Sequence, residues 1–187
     1  MSRWAPDAAL RLENAALELF AEQGYADTTV PQIAARAGLT TRTFFRHFAD
    51  KRDVLFLRER ELPAVVASVL AGAPASLPPL DLVMFGLETL AAGGFEQWRP
   101  DIAARRAIIR SDDRLREREL LKSSVLSQEI GLALVQHGID PDDAALLGSL
   151  AALVFDTALA EWLDGDGSQP LVEVLRATRD RLQRVSA

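Results

Sequence analysis

Cysteine is absent from this chain of 187 residues, and histidine occurs only twice. Without cysteine there is no disulfide, no thiolate zinc site and no cysteine nucleophile. His47 and His137 are far apart in sequence and have no neighbouring metal ligands, so a histidine metal site is not expected either. The chain also lacks a glycine-rich phosphate loop and a nucleophile motif. These absences argue against an enzyme, and we predict no catalytic residue, no metal site and no cofactor.

Long hydrophobic runs are missing as well. The N-terminus, MSRWAPDAAL, has no apolar segment of signal-peptide length. The longest weakly polar stretch, Ala144 to Phe155, is interrupted by Gly148 and Ser149, and it is shorter than the ~18 residues that a membrane span needs. We therefore expect a cytoplasmic protein without a membrane partner.

Net positive charge is also lacking, because the formal net charge is −6 at pH 7. The basic residues are unevenly distributed, however. Residues 28–52 contain five Lys or Arg against one acidic residue, whereas residues 61–187 contain twelve against nineteen. Attraction to phosphate falls off over a Debye length of ~8 Å at physiological salt, so local charge counts for more than total charge. A nucleic-acid contact confined to residues 28–52 is therefore compatible with an acidic chain.

The most informative segment that is present is TTVPQIAARAGLTTRTFFRHF, residues 28–48. The threonines at its start can cap a helix with apolar residues every three or four positions, and Gly38 can end that helix. Thr40 can cap a second helix. One stripe of that second helix is expected to face the core: Thr41, Phe44 and Phe48. Two short helices around a glycine turn, with Arg, Thr and His on the outside of the second, are typical of a helix-turn-helix that reads DNA in the major groove.

The residues predicted to contact double-stranded operator DNA lie at the start of the first helix and along the second. Arg42 is expected to reach a base edge, and Thr43 and Lys51 to hold phosphates. Phe45 cannot donate a hydrogen bond but can press on a thymine methyl group. His47 has two equal interpretations, a phosphate contact or an ordinary surface histidine. The complete predicted set is Thr28, Thr29, Thr40, Thr41, Arg42, Thr43, Phe45, Arg46, His47 and Lys51.

A preceding helix is predicted from about residue 7 to Gln23, and residues 11–55 together resemble the DNA-binding domain of the TetR family of bacterial transcriptional regulators. The matching residues are Ala15, Ala16, Leu19, Phe20, Gly24, Tyr25, Thr28, Thr29, Val30, Ile33, Ala34, Ala37, Gly38, Thr43, Phe48, Lys51, Val54 and Leu55. The family usually has tyrosine at Phe45, so the phosphate contact of that hydroxyl is missing here. The strings TTV-x-QIA and RTFFRHF further resemble a mycofactocin-regulator-type subgroup that binds acyl-CoA-like ligands.

Helical periodicity continues through the rest of the chain, and no segment alternates as a strand would. We predict an all-α fold of about nine helices, in agreement with the resemblance. An N-terminal three-helix helix-turn-helix domain, residues 1–50, precedes a C-terminal helical ligand-binding and dimerisation domain, residues 51–187. The helices predicted in the second domain are 51–70, 81–97, 100–111, 113–137, 141–163 and 171–185. Pro100 is expected in the first turn of its helix, and Asp140 is expected to cap the helix that begins at Pro141.

Aromatic and basic residues of the second domain are candidates for a ligand pocket. Any one of these aromatics is more often core than pocket lining, and the basic run from Arg105 to Lys122 is typical of a solvated helix face. In the sharper alternative, an apolar tunnel with a cationic mouth binds an acyl-CoA or fatty-acyl molecule, as the resemblance implies. The candidate pocket residues are Phe85, Trp98, Arg105, Arg106, Arg110 and Phe155.

Small residues form a stripe on the predicted helix 141–163. Such a stripe permits close helix packing, either inside the core or across a dimer interface. Because the family dimerises through its last two helices, we favour the interface. The predicted interface residues are Gly148, Ala151, Ala152, Phe155 and Leu159.

Together these features predict a ligand-responsive transcriptional regulator that binds a palindromic operator as a homodimer. Release by a small apolar or acyl-CoA-like effector would make it a repressor, and an activator of the same family is one alternative. A helical protein-interaction module without DNA binding is the other.

Overall fold

The computed structural model describes residues 8–74 and 76–186. Within these ranges the chain forms nine α-helices, one 3-10 segment and no strand, which confirms the all-α prediction. The helices are α1 (Ala8–Gln23), α2 (Val30–Arg36), α3 (Thr41–His47), α4 (Leu62–Ala71), α5 (Pro79–Ala91), α6 (Phe95–Arg110), α7 (Asp113–Gln136), α8 (Pro141–Asp164) and α9 (Leu171–Ser186). The chain divides into two compact units. The first consists of Met1–Arg60 and Ile102–Arg118, and the second of Glu61–Asp101 and Glu119–Ala187.

The core of the first unit is built around α1, α2 and α3. The predicted stripe of α1 is buried, and Phe44 and Phe48 are buried beneath α3, as the spacing predicts. Thr41 is exposed, so its predicted place in the core is wrong. Val54, Leu55, Phe56 and Ile109 belong to the same core, and the compact unit therefore extends beyond residue 50. The functional division at residue 50 stays a prediction.

The helix predicted from Lys51 to Leu70 is divided in two. Asp53–Glu61 is a 3-10 segment in which Phe56 leaves helical geometry, with φ −114° and ψ 17°. The α-helix begins only at Leu62 and has Pro63 in its first turn. Proline has no N–H to donate to a preceding turn, so it favours the start of a helix over its interior. Pro63 was the sequence signal for this break.

The boundary between α5 and α6 also differs from the prediction. Gly94, with φ 95°, lies between the two helices, because glycine adopts this left-handed conformation without a side-chain clash. α6 consequently begins at Phe95, and Pro100 lies inside it, not in its first turn. The predicted start and end of α7 and α8 are confirmed, and Asp140 caps α8 by accepting a hydrogen bond from the N–H of Asp142 at 2.9 Å.

The α8 helix of the second unit continues through the two residues that interrupt its apolar stretch. Gly148 and Ser149 lie within the helix and do not interrupt it, because a neighbouring helix packs closely against Gly148. Among the described residues this 24-residue helix has the length and composition to cross a membrane, with about a third of its most apolar window buried. Core helices of soluble proteins meet the same criterion, so length and composition alone are weak support for a membrane span.

Candidate nucleic-acid interface

Inward-pointing side chains hold the turn between α1 and α2. Gly24 ends α1 with φ 86°, as the sequence predicts. The hydroxyl of Thr28 is buried, donates to the carbonyl oxygen of Gly24 at 2.8 Å and accepts from Gln23. Thr28 therefore fixes the entry into α2. This burial corrects the prediction that its side chain contacts DNA.

Lys51 closes the same turn. Its ammonium donates to the carbonyl oxygens of Tyr25 (2.7 Å), Ala26 (3.2 Å) and Thr28 (2.9 Å), and lies 4.3 Å from the centre of the Tyr25 ring. Partial burial lowers the pKa of Lys51 below its ordinary value, although two nearby carboxylates act in the opposite direction. All three ammonium hydrogens have acceptors within the protein, so the predicted phosphate contact would have to share or replace one of them.

Threonine caps set the start of both helices of the helix-turn-helix. At α2, the amide oxygen of Gln32 accepts from the N–H and the hydroxyl of Thr29, both at 2.8 Å. At α3, the hydroxyl of Thr40 accepts from the N–H of Thr43 at 3.1 Å. Gly38, with φ 64°, makes the turn between the helices. These local bonds orient α3 by satisfying backbone groups that a helix end leaves unpaired.

The outer side of α3 carries Arg42, Phe45 and Arg46, all exposed. Phe45 is 59% exposed although the adjacent Phe44 is fully buried, and the two rings meet edge to face at 5.5 Å. A large exposed phenyl ring between two arginines combines apolar contact with charge. This combination suits contact with DNA. The phenyl ring can pack on a thymine methyl group, and the arginines can donate hydrogen bonds to phosphates or guanine edges.

The structure brings most of the predicted contact residues together on one unit. Those on its exposed surface are Thr29, Thr40, Thr41, Arg42, Phe45 and Arg46, with Thr43 and His47 partly exposed. The Nη2 of Arg46 and the Nε2 of His47 are 3.5 Å apart. Lys51 is partly buried and Thr28 is buried. DNA contact stays a prediction for these residues, except for Thr28, whose side chain is buried.

Other cations of the segment are balanced by neighbouring acids. Arg36 binds Glu22 at 2.7 Å and Glu18 at 3.3 Å, and its hydrogen bond to Glu22 holds the pKa of that carboxyl below its ordinary value. Arg52 donates from Nε to Asp50 at 2.7 Å. Burial raises the pKa of Asp50, but the hydrogen bonds from Arg52 outweigh it and the net pKa is lowered. The positive charge of the segment is therefore concentrated on α3.

Arg105 has a role in the first unit that sequence reasoning missed. Its guanidinium donates to the carboxylate of Glu13 at 2.6 Å and to the carbonyl oxygen of Leu55. Glu13 is fully buried in α1, so the arginine neutralises a charge that would otherwise be costly. Arg105 is thus committed to an internal ion pair, which corrects its predicted place at a ligand mouth. A glutamate on the apolar side of α1 was the available signal.

The other predicted pocket residues fall in different units. Phe85 and Phe155 are half-buried in the second unit, where the Phe155 ring meets Phe95 edge to face at 6.0 Å. Trp98 is also in the second unit and is exposed. The arginines proposed for the cationic mouth, Arg106 and Arg110, belong to the first unit. The pocket stays a prediction.

The small-residue stripe of α8 faces the protein interior. A Cβ added at Gly148 would overlap the carbonyl oxygen of Ser127 in α7 and would lie 3.0 Å from the N atom of Gly131. Ala151 and Ala152 are buried as well. Close packing against α7 explains Gly148, and Ala151 and Ala152 are covered within the protomer, which corrects the predicted dimer interface of these three residues. The partly buried Phe155 and Leu159 lie on the same helix.

No group of three or more potential metal ligands occurs among the residues that the structure describes.

Comparison with known proteins supports the DNA-binding reading. Residues 13–56 match the family described as "Bacterial regulatory proteins, tetR family". The transcriptional regulator TcmR of Streptomyces glaucescens is 45% identical over 65 residues, which are 35% of this chain and 29% of TcmR. The chain thus matches less than a third of the length of this curated relative.

Solved structures resemble the whole chain. FadR of Thermus thermophilus, a repressor solved with lauroyl-CoA, has a TM-score of 0.60 at 22% identity and covers 94% of this chain and 93% of its own. FadR of Bacillus subtilis, solved with stearoyl-CoA, has a TM-score of 0.54 at 20% identity and covers 90% and 94%. At these identities the likeness shows a shared fold.

Proposed function

Because this chain belongs to the TetR family of bacterial regulatory proteins, which are transcription factors and not enzymes, we propose that it is a ligand-responsive repressor. One observation carries the proposal: α3 is capped at both ends by local hydrogen bonds and exposes Arg42, Phe45 and Arg46 side by side. A rigid helix with this outer face fits the major groove. A homodimer supplies two such helices for the two halves of a palindromic operator.

We propose an acyl-CoA or fatty-acyl molecule as the effector. The proteins of similar fold that hold lauroyl-CoA and stearoyl-CoA support this choice of ligand class. In this chain the half-buried aromatic rings Phe85, Phe95 and Phe155 of the second unit supply apolar surface for an acyl tail. A ligand releases DNA only if it prefers the conformation that does not bind the operator.

The DNA-binding part of the proposal is tested by selecting bound duplexes from a random pool with the full chain. The selected sequence should be palindromic, and binding should weaken steeply with salt. A protein that enriches no sequence and binds DNA no better than an acidic control protein would point to the protein-interaction module instead.

The effector part is tested on the selected duplex by fluorescence anisotropy. Lauroyl-CoA should release the DNA, whereas free coenzyme A should not, because it lacks the acyl tail. Phe85→Glu should keep operator affinity but lose the response, since a carboxylate in the apolar site opposes tail binding. If acyl-CoAs of several chain lengths change neither DNA binding nor melting temperature, the effector is of another class.

A further inference from the structure

One of the two histidines of the chain, His137, lies directly after the last residue of α7 in the second unit. Its imidazole ring has a backbone carbonyl oxygen beside each nitrogen. Nδ1 is 3.0 Å from the carbonyl oxygen of Ala133 in α7, and Nε2 is 2.9 Å from that of Leu70 in α4. One side chain therefore joins the ends of two helices, although Leu70 and His137 are 67 positions apart in sequence.

The two acceptors determine which hydrogens the ring must carry. A carbonyl oxygen only accepts, so each hydrogen bond to it needs an N–H on the ring. Neutral imidazole has one N–H and one bare nitrogen, whereas the imidazolium ion has two N–H donors. The neutral ring can therefore make only one of these bonds, and it turns a lone pair towards the other carbonyl oxygen. Only the charged ring satisfies both acceptors.

Both carbonyl groups lie in the last turn of a helix, where backbone donors run out and the negative end of the helix dipole lies. The N–H of His137 bonds to Leu134 at 3.0 Å, so the ring supplies Ala133 with the donor that a longer helix would have supplied. Leu70 also accepts from the N–H of Ala73 at 3.0 Å, which leaves its second lone pair for the ring. Neither α4 nor α7 has a basic residue in its last turn, so His137 is the cation for both ends.

Few charged side chains belong to the helices around the ring. α4 has none from Leu62 to Ala71, and α5 packs on it with Gly86 against the Leu70 side chain. Glu88 of α5 is paired with an arginine of α9, and the acid that caps α8 accepts from its own helix. The complete set is Asp81 and Glu88 on α5, Glu129 on α7, and Asp140, Asp142 and Asp143 at the start of α8. Within the described ranges, the hydrogen-bond partners of the ring are the two carbonyl oxygens, so helix ends and not an ion pair favour its charge.

We propose that His137 is a pH-sensitive tie between the C-terminal ends of α4 and α7. The charged ring donates to both ends and holds them together, and on losing a proton it releases one of them. The charged form thus makes one hydrogen bond more to the folded protein than the neutral form does. Its contribution to stability is present at low pH and is lost as pH rises through the histidine range. The tie lies within the second unit, and the inference goes beyond the proposed function without depending on DNA binding.

Thermal unfolding of the full chain at about pH 5.5 and about pH 8 tests the tie, because the ordinary histidine range lies between them. His137→Gln can donate to one carbonyl oxygen at either pH, as the neutral ring does. It should lower the melting temperature by about 2–4 °C at the lower pH and by less than half as much at the higher pH. Comparison of wild type with variant at each pH removes the titration of carboxylates, which both proteins share.

His47→Gln is the matched control, because it removes the other histidine. The Nε2 of His47 lies 3.5 Å from the Nη2 of Arg46, and a neighbouring cation does not favour a charged ring. Its effect on the melting temperature should therefore not grow at the lower pH. An equal loss for His137→Gln at both pH values would mean that the neutral ring makes the contact. No loss at either pH would mean that the ring does not join the helices, and each of these results overturns the proposal.

Nitrogen NMR of the two histidine rings gives a direct readout on the wild-type chain, with His47→Gln to assign the signals. At about pH 5.5 both ring nitrogens of His137 should show N–H correlations, because hydrogens held by carbonyl oxygens exchange slowly with water, and at about pH 8 one should remain. A His137 ring without either correlation at the lower pH would refute the tie. Neither measurement involves DNA, so a chain that passes both but enriches no DNA sequence refutes the proposed function alone.

Discussion

At the residue scale, Arg42 is the side chain on which sequence discrimination should depend most. It is exposed near the start of α3, where side chains of a recognition helix reach base edges. Arg42→Ala should cost roughly 1–3 kcal/mol of operator binding and relax preference at one position of each half-site. Anisotropy titrations with single-base variants of the operator measure both. Arg52→Ala is the control, since Arg52 binds Asp50, and an Arg42→Ala protein with unchanged affinity and selectivity would refute the assignment.

Lys51 should matter for stability more than for phosphate contact. Lys51→Met keeps the apolar stem but removes three hydrogen bonds to the α1–α2 turn, which should cost ~1–3 kcal/mol of unfolding free energy. The salt dependence of DNA binding should barely change. Arg46→Met, on the exposed side of α3, should do the reverse by lowering the salt slope by about one without lowering stability. Urea denaturation and salt titrations separate the two, and the opposite pattern would restore Lys51 as a phosphate ligand.

Tyr25 is the only tyrosine of the chain, so its ionisation can be followed by ultraviolet absorbance. Burial, followed by the charge of Asp50, raises the pKa of Tyr25 to about 12 from an ordinary 10.0. The unfolded chain then loses this proton at lower pH than the folded chain. The stability that the protonated ring contributes is complete below pH 10 and is lost as pH rises through the folded pKa. An absorbance midpoint near 10 while circular dichroism still shows native helix would contradict this.

At the element scale, the packing of α7 on α8 depends on glycine. A Cβ at Gly148 would overlap the backbone of Ser127, whereas a Cβ at Gly131 would be 3.2 Å from the carbonyl oxygen of Ala144. Both glycines lie in helix interiors, so alanine improves helix propensity by a similar ~1 kcal/mol at each. Gly148→Ala should nonetheless lower the melting temperature more than Gly131→Ala, because two backbones must separate. Equal melting temperatures would show that the helices are not in this contact.

The elements also show where helix boundaries are encoded. Gly24, Gly38 and Gly138 each follow a predicted helix and adopt positive φ, so these ends were correctly predicted. Pro63 and Gly94 mark the two boundaries that were wrong. Both residues are as visible in the sequence as the others. The apolar periodicity on either side of them continues with little change, and periodicity alone does not register a missing N–H or a left-handed residue.

At the scale of the whole molecule, DNA affinity should depend on the proposed homodimer. A single protomer, obtained by dilution, offers one recognition helix, so its salt slope should be about half that of the dimer. Lengthening the operator by half a helical turn, ~5 base pairs, between its half-sites should weaken binding of the dimer and leave binding of the protomer unaffected. Anisotropy with the two spacings measures this. A wild type indifferent to spacing would show that the two recognition helices bind independently.

The sequence alone determined the all-α class, the helix-turn-helix and the outward residues of α3. Each of these depends on residues within about four positions of one another: a threonine cap, a glycine stop and an apolar stripe of helical period. Tertiary structure alone decided three other matters. Lys51 donates to carbonyl oxygens in the α1–α2 turn, and Arg105 neutralises a glutamate 92 positions away. Gly148 packs against the backbone of α7. A short-range pattern shows that a glycine permits close approach or that an arginine carries charge. It does not show which backbone packs on the glycine or which carboxylate pairs with the arginine. Those partners depend on how distant helices pack, since the contact energy exists only once the helices are in contact.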